Sequence, residues 1–128
     1  MYVTDTHSFL WFLTNDGRLG NQAKEIFNAC DKGETIIFIP SIVLMESLVI
    51  CEDKRVKLEF TEVLQKLENS FNYVVYSLDA DVVLECSKTE KIMDPHDRII
   101  VSTARLLNAK VITKDDKIVK SGLVETIF

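Results

Sequence analysis

Short apolar, β-branched runs recur along the chain, and between them lie stretches whose apolar positions follow helical spacing. Tyr2 to Asp5 is the first such run and ends in an acid, while Ser8 to Thr14 reads as a buried helix closed by Asn15-Asp16-Gly17. Asn21 is placed to cap a helix over Gln22 to Lys32 that Gly33 stops. Ile36-Ile37-Phe38-Ile39 is the continuous apolar run of a strand covered on both faces, ended by Pro40. Ser41 then caps a helix to about Glu52, and Lys54 to Glu68 is a second, more amphipathic one, so that a helical hairpin is expected. Tyr73 to Leu78 reads as the third strand and Asp79 to Lys91 as a helix with Val82, Val83 and Cys86 inward. A further helix opens at Asp94 and runs to about Asn108, followed by a strand over Lys110 to Thr113. Asp115 to Phe128 then leaves room for a helical turn closed by Gly122 and an edge strand at Val124 to Phe128.

Apolar strands alternating with helices predict an α/β class fold, a three-layer α/β/α sandwich around a central parallel sheet. With 128 residues, 47 % of them hydrophobic and 27 % charged, the chain suffices for one such domain over 1–128 and leaves no room for a second. Cys30, Cys51 and Cys86 are odd in number and lack C-x-x-C spacing, which argues against a disulfide framework or a structural zinc site. Met1 to Asp5 carries no basic n-region, and the longest apolar stretch, Ile42 to Cys51, is interrupted by Glu46 and Ser47. The expectation is a soluble, cytoplasmic protein with no membrane partner.

In open parallel sheets the ligand crevice lies beyond the carboxyl ends of the strands, which directs attention to Asp5 and Asp115. Taken singly, either acid is equally at home as a turn residue or helix cap. Glu46 has apolar neighbours on both adjacent turns, Ile42, Val43, Val49 and Ile50, so a cation should meet it: a Lys or Arg partner, or a metal ion. Asp94-Pro95-His96-Asp97 is a helix-opening signature, with Asp94 as cap, Pro95 at the first helical position and Asp97 where a capping-box acid sits. Asp97 also leads the apolar stripe Ile100, Val101, Ala104 and Leu107, which aims it towards the core edge.

Asp5, Glu46, Asp97 and Asp115 are thereby expected to converge at one end of the sheet, with Asp94 and Asp116 in reserve. Clustered carboxylates without a Cys or His cage suit Mg²⁺ or Mn²⁺, and such ions favour in-line displacement at phosphorus, hence phosphodiester hydrolysis. Fifteen Lys and Arg against twenty Asp and Glu give a formal charge of −5, which argues against an ordinary basic nucleic-acid binder. Asp5, Glu46, Asp97, Asp115 and Asp116 account for that whole excess. Arg98, Lys114 and Lys117 each adjoin one of these acids and are candidate RNA phosphate contacts, or simply solvated surface charges. His7 at a helix start reads as a hydrogen-bonded structural residue. Trp11 reads as core, or else as a dimer-contact or base-stacking residue.

Val3-Thr4-Asp5-Thr6-His7 with Trp11, Pro40-Ser41 to Glu46-Ser47, Asp94-Pro95-His96-Asp97-Arg98-Ile99-Ile100 and Val111-Ile112-Thr113-Lys114-Asp115 resemble the PIN-domain ribonucleases, and the likeness spans nearly the whole chain. The D-T-H-x-x-x-W opening and the D-P-x-D-R helix start look like the small VapC-type toxins of toxin-antitoxin pairs. That resemblance implies a Mg²⁺- or Mn²⁺-dependent endoribonuclease whose acids fall on Asp5, Glu46, Asp97 and Asp115, with Asp94 as an additional acid and possible metal ligand. It places the family's Ser or Thr at Thr113, orienting water or a ligand carboxylate, and Asp116 at a position that varies. It further implies a homodimer and a small cognate antitoxin protein that covers the site, for which the Ser41 to Glu68 segment is a candidate groove. The competing expectation is a non-catalytic scaffold of the same fold that binds RNA or a partner protein. A receiver or haloacid-dehalogenase-like phosphatase would place a second acid beside the first, which Asp5-Thr6-His7 lacks.

Overall fold

A computed structural model describes all residues, 1–128. Five parallel strands form the sheet: β1 (Tyr2–Thr4), β2 (Ile37–Pro40), β3 (Tyr73–Tyr76), β4 (Lys110–Ile112) and β5 (Thr126–Ile127), in the order β3-β2-β1-β4-β5. Val3 stands opposite Phe38 on one side and Val111 on the other, so β1 is the middle strand. Val3, Ile37, Ile39, Val111 and Ile112 are fully buried, as the uninterrupted apolar runs require of a sheet covered on both faces. Seven helices cover it: α1 (Thr6–Leu13), α2 (Asn21–Asp31), α3 (Ser41–Glu52), α4 (Phe60–Glu68), α5 (Ala80–Cys86), α6 (Pro95–Leu107) and α7 (Asp116–Ser121). The three-layer α/β/α architecture is thus the expected one. None of these helices is long and apolar enough to cross a membrane.

The core joins both layers through Phe9, Leu10, Phe27, Ile100 and Ala104. Phe12 stacks on Phe27 with ring centroids 4.7 Å apart, tying α1 to α2. α6 lies on β1, β2 and β4 and carries α5 on its outer side.

The element boundaries depart from expectation where side chains compete with the backbone. α1 starts two residues early because Asp5 is its cap, its carboxylate accepting from the Ser8 amide at 2.8 Å. Likewise Gly20, not Asn21, occupies the cap position of α2, and Pro40, not Ser41, that of α3. Pro40 belongs to β2, and it is tolerated because β1 pairs with β2 only as far as Phe38. The hairpin is shorter than predicted: Lys54 takes a left-handed φ of 54° and α4 begins only at Phe60, behind the reciprocal capping box of Glu59 and Glu62. α5 stops at Cys86, where the Ser87 and Thr89 hydroxyls take the carbonyls of Leu84 and Cys86. Val82 is fully buried on that helix as expected and Cys86 partly so, but Val83 faces solvent; the other buried residue is Glu85, held by Arg105 at 2.7 Å and Lys88 at 3.2 Å.

Candidate active site

Strand order reverses between β1 and β4, because the chain runs outward from β1 through β2 to β3 and then returns to build β4 and β5 on the other side. Carboxyl ends of strands at such a switch point frame a crevice. Asp5 follows β1 and Thr113-Lys114-Asp115 follows β4, so both segments stand at that opening. The Thr113 hydroxyl donates to one Asp5 oxygen and accepts from the Asp115 amide at 3.0 Å. Asp115 in turn caps α7 by accepting from the amides of Lys117 and Ile118. One buried threonine therefore fixes two acids from opposite ends of the chain.

The amino end of α6 comes to the same place. Asp94 caps it, accepting from the amides of His96 and Asp97 at 2.9 and 3.1 Å, as the Asp-Pro-His-Asp pattern predicts. Glu46 reaches in from the second turn of α3. Its expected Lys or Arg partner is absent; one oxygen accepts from the Thr6 hydroxyl at 2.7 Å and the other meets His96 Nδ1 at 3.2 Å. Its side chain is 30 % exposed, because α3 does not bury the whole face read from the sequence: Met45 and Val49 are exposed while Val43 and Ile50 are buried.

These groups line one cleft of about 460 Å³, whose walls include Asp5, Glu46, Asp94, Asp97 and Asp115. Crowding shows in the acid strengths. Asp97 is pushed up to about 6, first by burial and then by the negative charges of Asp115, Asp94, Glu46 and Asp5. Burial raises Asp5 as well, against the lowering effect of its hydrogen bonds to Thr113 and Ser8. The folded protein thus holds negative charges together at a net cost, which is common in functional sites.

Not every candidate lies there. Asp116 and Lys117 are exposed on α7 outside the cleft lining. Arg98 turns away, donating to the Cys86 carbonyl at 2.6 Å and bracing α5 against α6. Lys114 does line the cleft, as do Arg18, Trp11, His7, Thr6 and Ile100. Thr6 and His96 each adjoin a motif acid but carry no signal of their own in the sequence, because their common partner, Glu46, is 40 and 50 residues distant. Arg18 carries no local signal beyond following the Asn15-Asp16-Gly17 turn.

The donor set is all oxygen, which suits a hard divalent cation better than zinc. As they stand, no three of these side chains are grouped closely enough to enclose an ion. Mg²⁺ does not require enclosure, since it is bound through one or two carboxylates and keeps several waters. The acids that crowd Asp97 fit that mode, and a cation beside them would reverse the electrostatic cost they now carry.

The PIN-domain model matches residues 2–122. Among solved structures the chain is similar to VapBC2 from Rickettsia felis bound to a promoter DNA fragment, at 16 % identity and TM-score 0.70, covering 98 % of this chain and 96 % of that one. It is also similar to a toxin-antitoxin complex from Klebsiella pneumoniae, at 18 % identity and TM-score 0.72, covering 100 % and 97 %. A third is VapC20 of Mycobacterium tuberculosis, described as a sarcin-ricin-loop-cleaving toxin, at 14 % identity and TM-score 0.72, covering 98 % of each chain. A sequence comparison with curated proteins finds no match. Likeness at these identities establishes the fold, and the match of the family model over 2–122 establishes the family: this chain belongs to the PIN-domain proteins.

Proposed function

We propose that the protein is a Mg²⁺- or Mn²⁺-dependent endoribonuclease, hydrolysing RNA phosphodiester bonds as the toxin of a toxin-antitoxin pair. The observation that carries this reading is the carboxylate cleft at the sheet's switch point, with Asp97 raised by burial and then by four neighbouring acids. A divalent ion bound there supplies an activated water and offsets the charge that develops on the phosphoryl oxygens. Asp5, Asp97 and Asp115 are assigned to hold it, with Asp94 beside them. Glu46 accepts or directs a proton of the attacking water while Thr6 and His96 fix its two oxygens. Thr113 keeps the Asp5 and Asp115 segments in register through its paired hydrogen bonds. Lys114 meets substrate phosphate at the rim.

The solved toxin-antitoxin complexes to which the chain is similar support a small antitoxin protein as partner and, with it, a cytoplasmic setting. Exposed Met45 on α3 and Val83 and Leu84 on α5 supply apolar contact area for a homodimer. Nothing in the site favours the non-catalytic scaffold, since no acid of the expected set is replaced. The test is incubation of mixed cellular RNA with purified protein in Mg²⁺ or Mn²⁺ and in EDTA. Metal-dependent fragments support the nuclease; intact RNA in every condition, with Mn²⁺ still bound, would favour the scaffold.

A further inference from the structure

The acidic cleft has one edge of opposite sign. Apart from His7, its only basic lining residues are Arg18 and Lys114, and both sit on Trp11. The Arg18 guanidinium carbon is 5.0 Å and the Lys114 ammonium 4.7 Å from the indole centroid, so the two cations are at most about 10 Å apart. Trp11 is only 7 % exposed and contacts Phe128 edge-on, which makes it a fixed support. Asp16 grips Arg18 through Nε and Nη2 at 3.0 and 2.8 Å, leaving the rest of the guanidinium fork free to donate. Lys114 has no carboxylate within ion-pair distance. Its backbone cannot wander, because it lies between Thr113, bonded to Asp5, and Asp115, the cap of α7.

Both cations reach the lining of a cleft that otherwise repels polyanions, so an anion bound at that edge gains from each of them. We propose that Arg18 and Lys114 form a phosphate subsite that positions single-stranded RNA by the phosphate next to the one hydrolysed. This deepens the nuclease reading and rests on it for the identity of the strand. Because Asp16 already balances Arg18, Lys114 supplies the net charge and Arg18 the oriented donors. Neither touches the reacting phosphate; both are positioning residues.

The test measures fluorescence anisotropy of a short, mixed-sequence single-stranded RNA on the Asp97→Asn parent in EDTA, across a range of KCl. Lys114→Gln should weaken binding about fivefold. It should also flatten the log-affinity against log-salt slope by about 0.7, the value of one phosphate contact on a single strand. Lys114→Arg should restore both, and Arg18→Gln should weaken binding with a smaller change in slope. With Asp97 restored, both Gln variants should raise KM and leave kcat within about twofold, as loss of uniform binding does. Unchanged affinity and slope in both Gln variants, or no measurable RNA binding by the parent, overturns the subsite. If wild type cleaves RNA while the variants bind like the parent, the subsite falls and the nuclease stands. If binding falls as stated but wild type cleaves nothing, the subsite stands and the hydrolytic reading falls.

Discussion

Replacing Asp97 with Asn should make the metal-free protein more stable at neutral and alkaline pH. The carboxyl group moves from 3.8 in the unfolded chain to about 6 in the fold. At 1.36 kcal/mol per unit, that upward shift corresponds to about 3 kcal/mol of unfavourable interaction when Asp97 is ionised. The side chain is only half-buried, so solvent screening reduces this to about 1–2 kcal/mol. Asp97 also stands in the first turn of α6, where its negative charge gains about 0.3–1 kcal/mol that Asn forfeits. The net expectation is a gain of about 1 kcal/mol, or roughly 4 °C in Tm for a chain of this size. The sign with pH follows from linkage. Between 3.8 and about 6 the folded state binds more protons than the unfolded one, so wild type loses stability relative to Asp97→Asn as pH rises through that window. Below it both carboxyls are protonated and the advantage disappears. Urea unfolding in EDTA at about pH 8, 6 and 4 measures the difference directly. A variant less stable than wild type at alkaline pH, or a difference that is flat across the window, would refute the electrostatic account of the cleft.

Other consequences are equally specific. Thr113→Val leaves an Asp5 oxygen and the Asp115 amide without their shared partner, so urea unfolding should show a loss of about 1–3 kcal/mol, with at least about tenfold slower RNA cleavage. His96→Ala frees one Glu46 oxygen and should weaken activity by about tenfold or more, whereas His96→Asn, whose amide nitrogen can replace Nδ1, should recover most of it in the same cleavage assay. Equal loss in both variants would assign His96 a role other than holding Glu46. Arg98→Ala removes one of three donors to the Cys86 carbonyl, which keeps the Thr89 amide and hydroxyl, so it should cost only about 1 kcal/mol and leave RNA affinity by anisotropy unchanged. A selective loss of affinity would place Arg98 in the nucleic-acid interface after all.

What the sequence makes legible is what is encoded locally. β-Branched apolar runs mark β1, β2 and β4, and an acid directly after a strand needs only the parallel-sheet rule to be placed at the crevice. Asp94-Pro95-His96-Asp97 carries its own helix-start chemistry, and Asp94 does cap α6. Where two codes compete, the pattern misleads. The periodicity of Lys54 to Glu68 reads through the left-handed Lys54 and the capping box at Glu59, and that of Asp79 to Lys91 reads through the hydroxyls that end α5. Glu46 stands out in the sequence as an acid among apolar neighbours, but its partners come from α1 and α6, and no local pattern reports a contact across 40 or 50 residues. Arg98 and Lys114 look alike beside their acids in the sequence. Helix rotation sends the first to a backbone carbonyl, and the strand end presents the second to the cleft.

The central claim, that the carboxylate cleft hydrolyses RNA with a divalent metal, is tested most directly by the rate of RNA cleavage against Mn²⁺ concentration for wild type and Asp97→Asn prepared identically. The account predicts a saturable, EDTA-sensitive rate for wild type and, for Asp97→Asn at the same metal concentrations, a rate at least about a hundredfold lower, in a protein whose metal-free form is at least as stable as metal-free wild type. Equal rates for the two proteins, or cleavage that persists in EDTA, would contradict it.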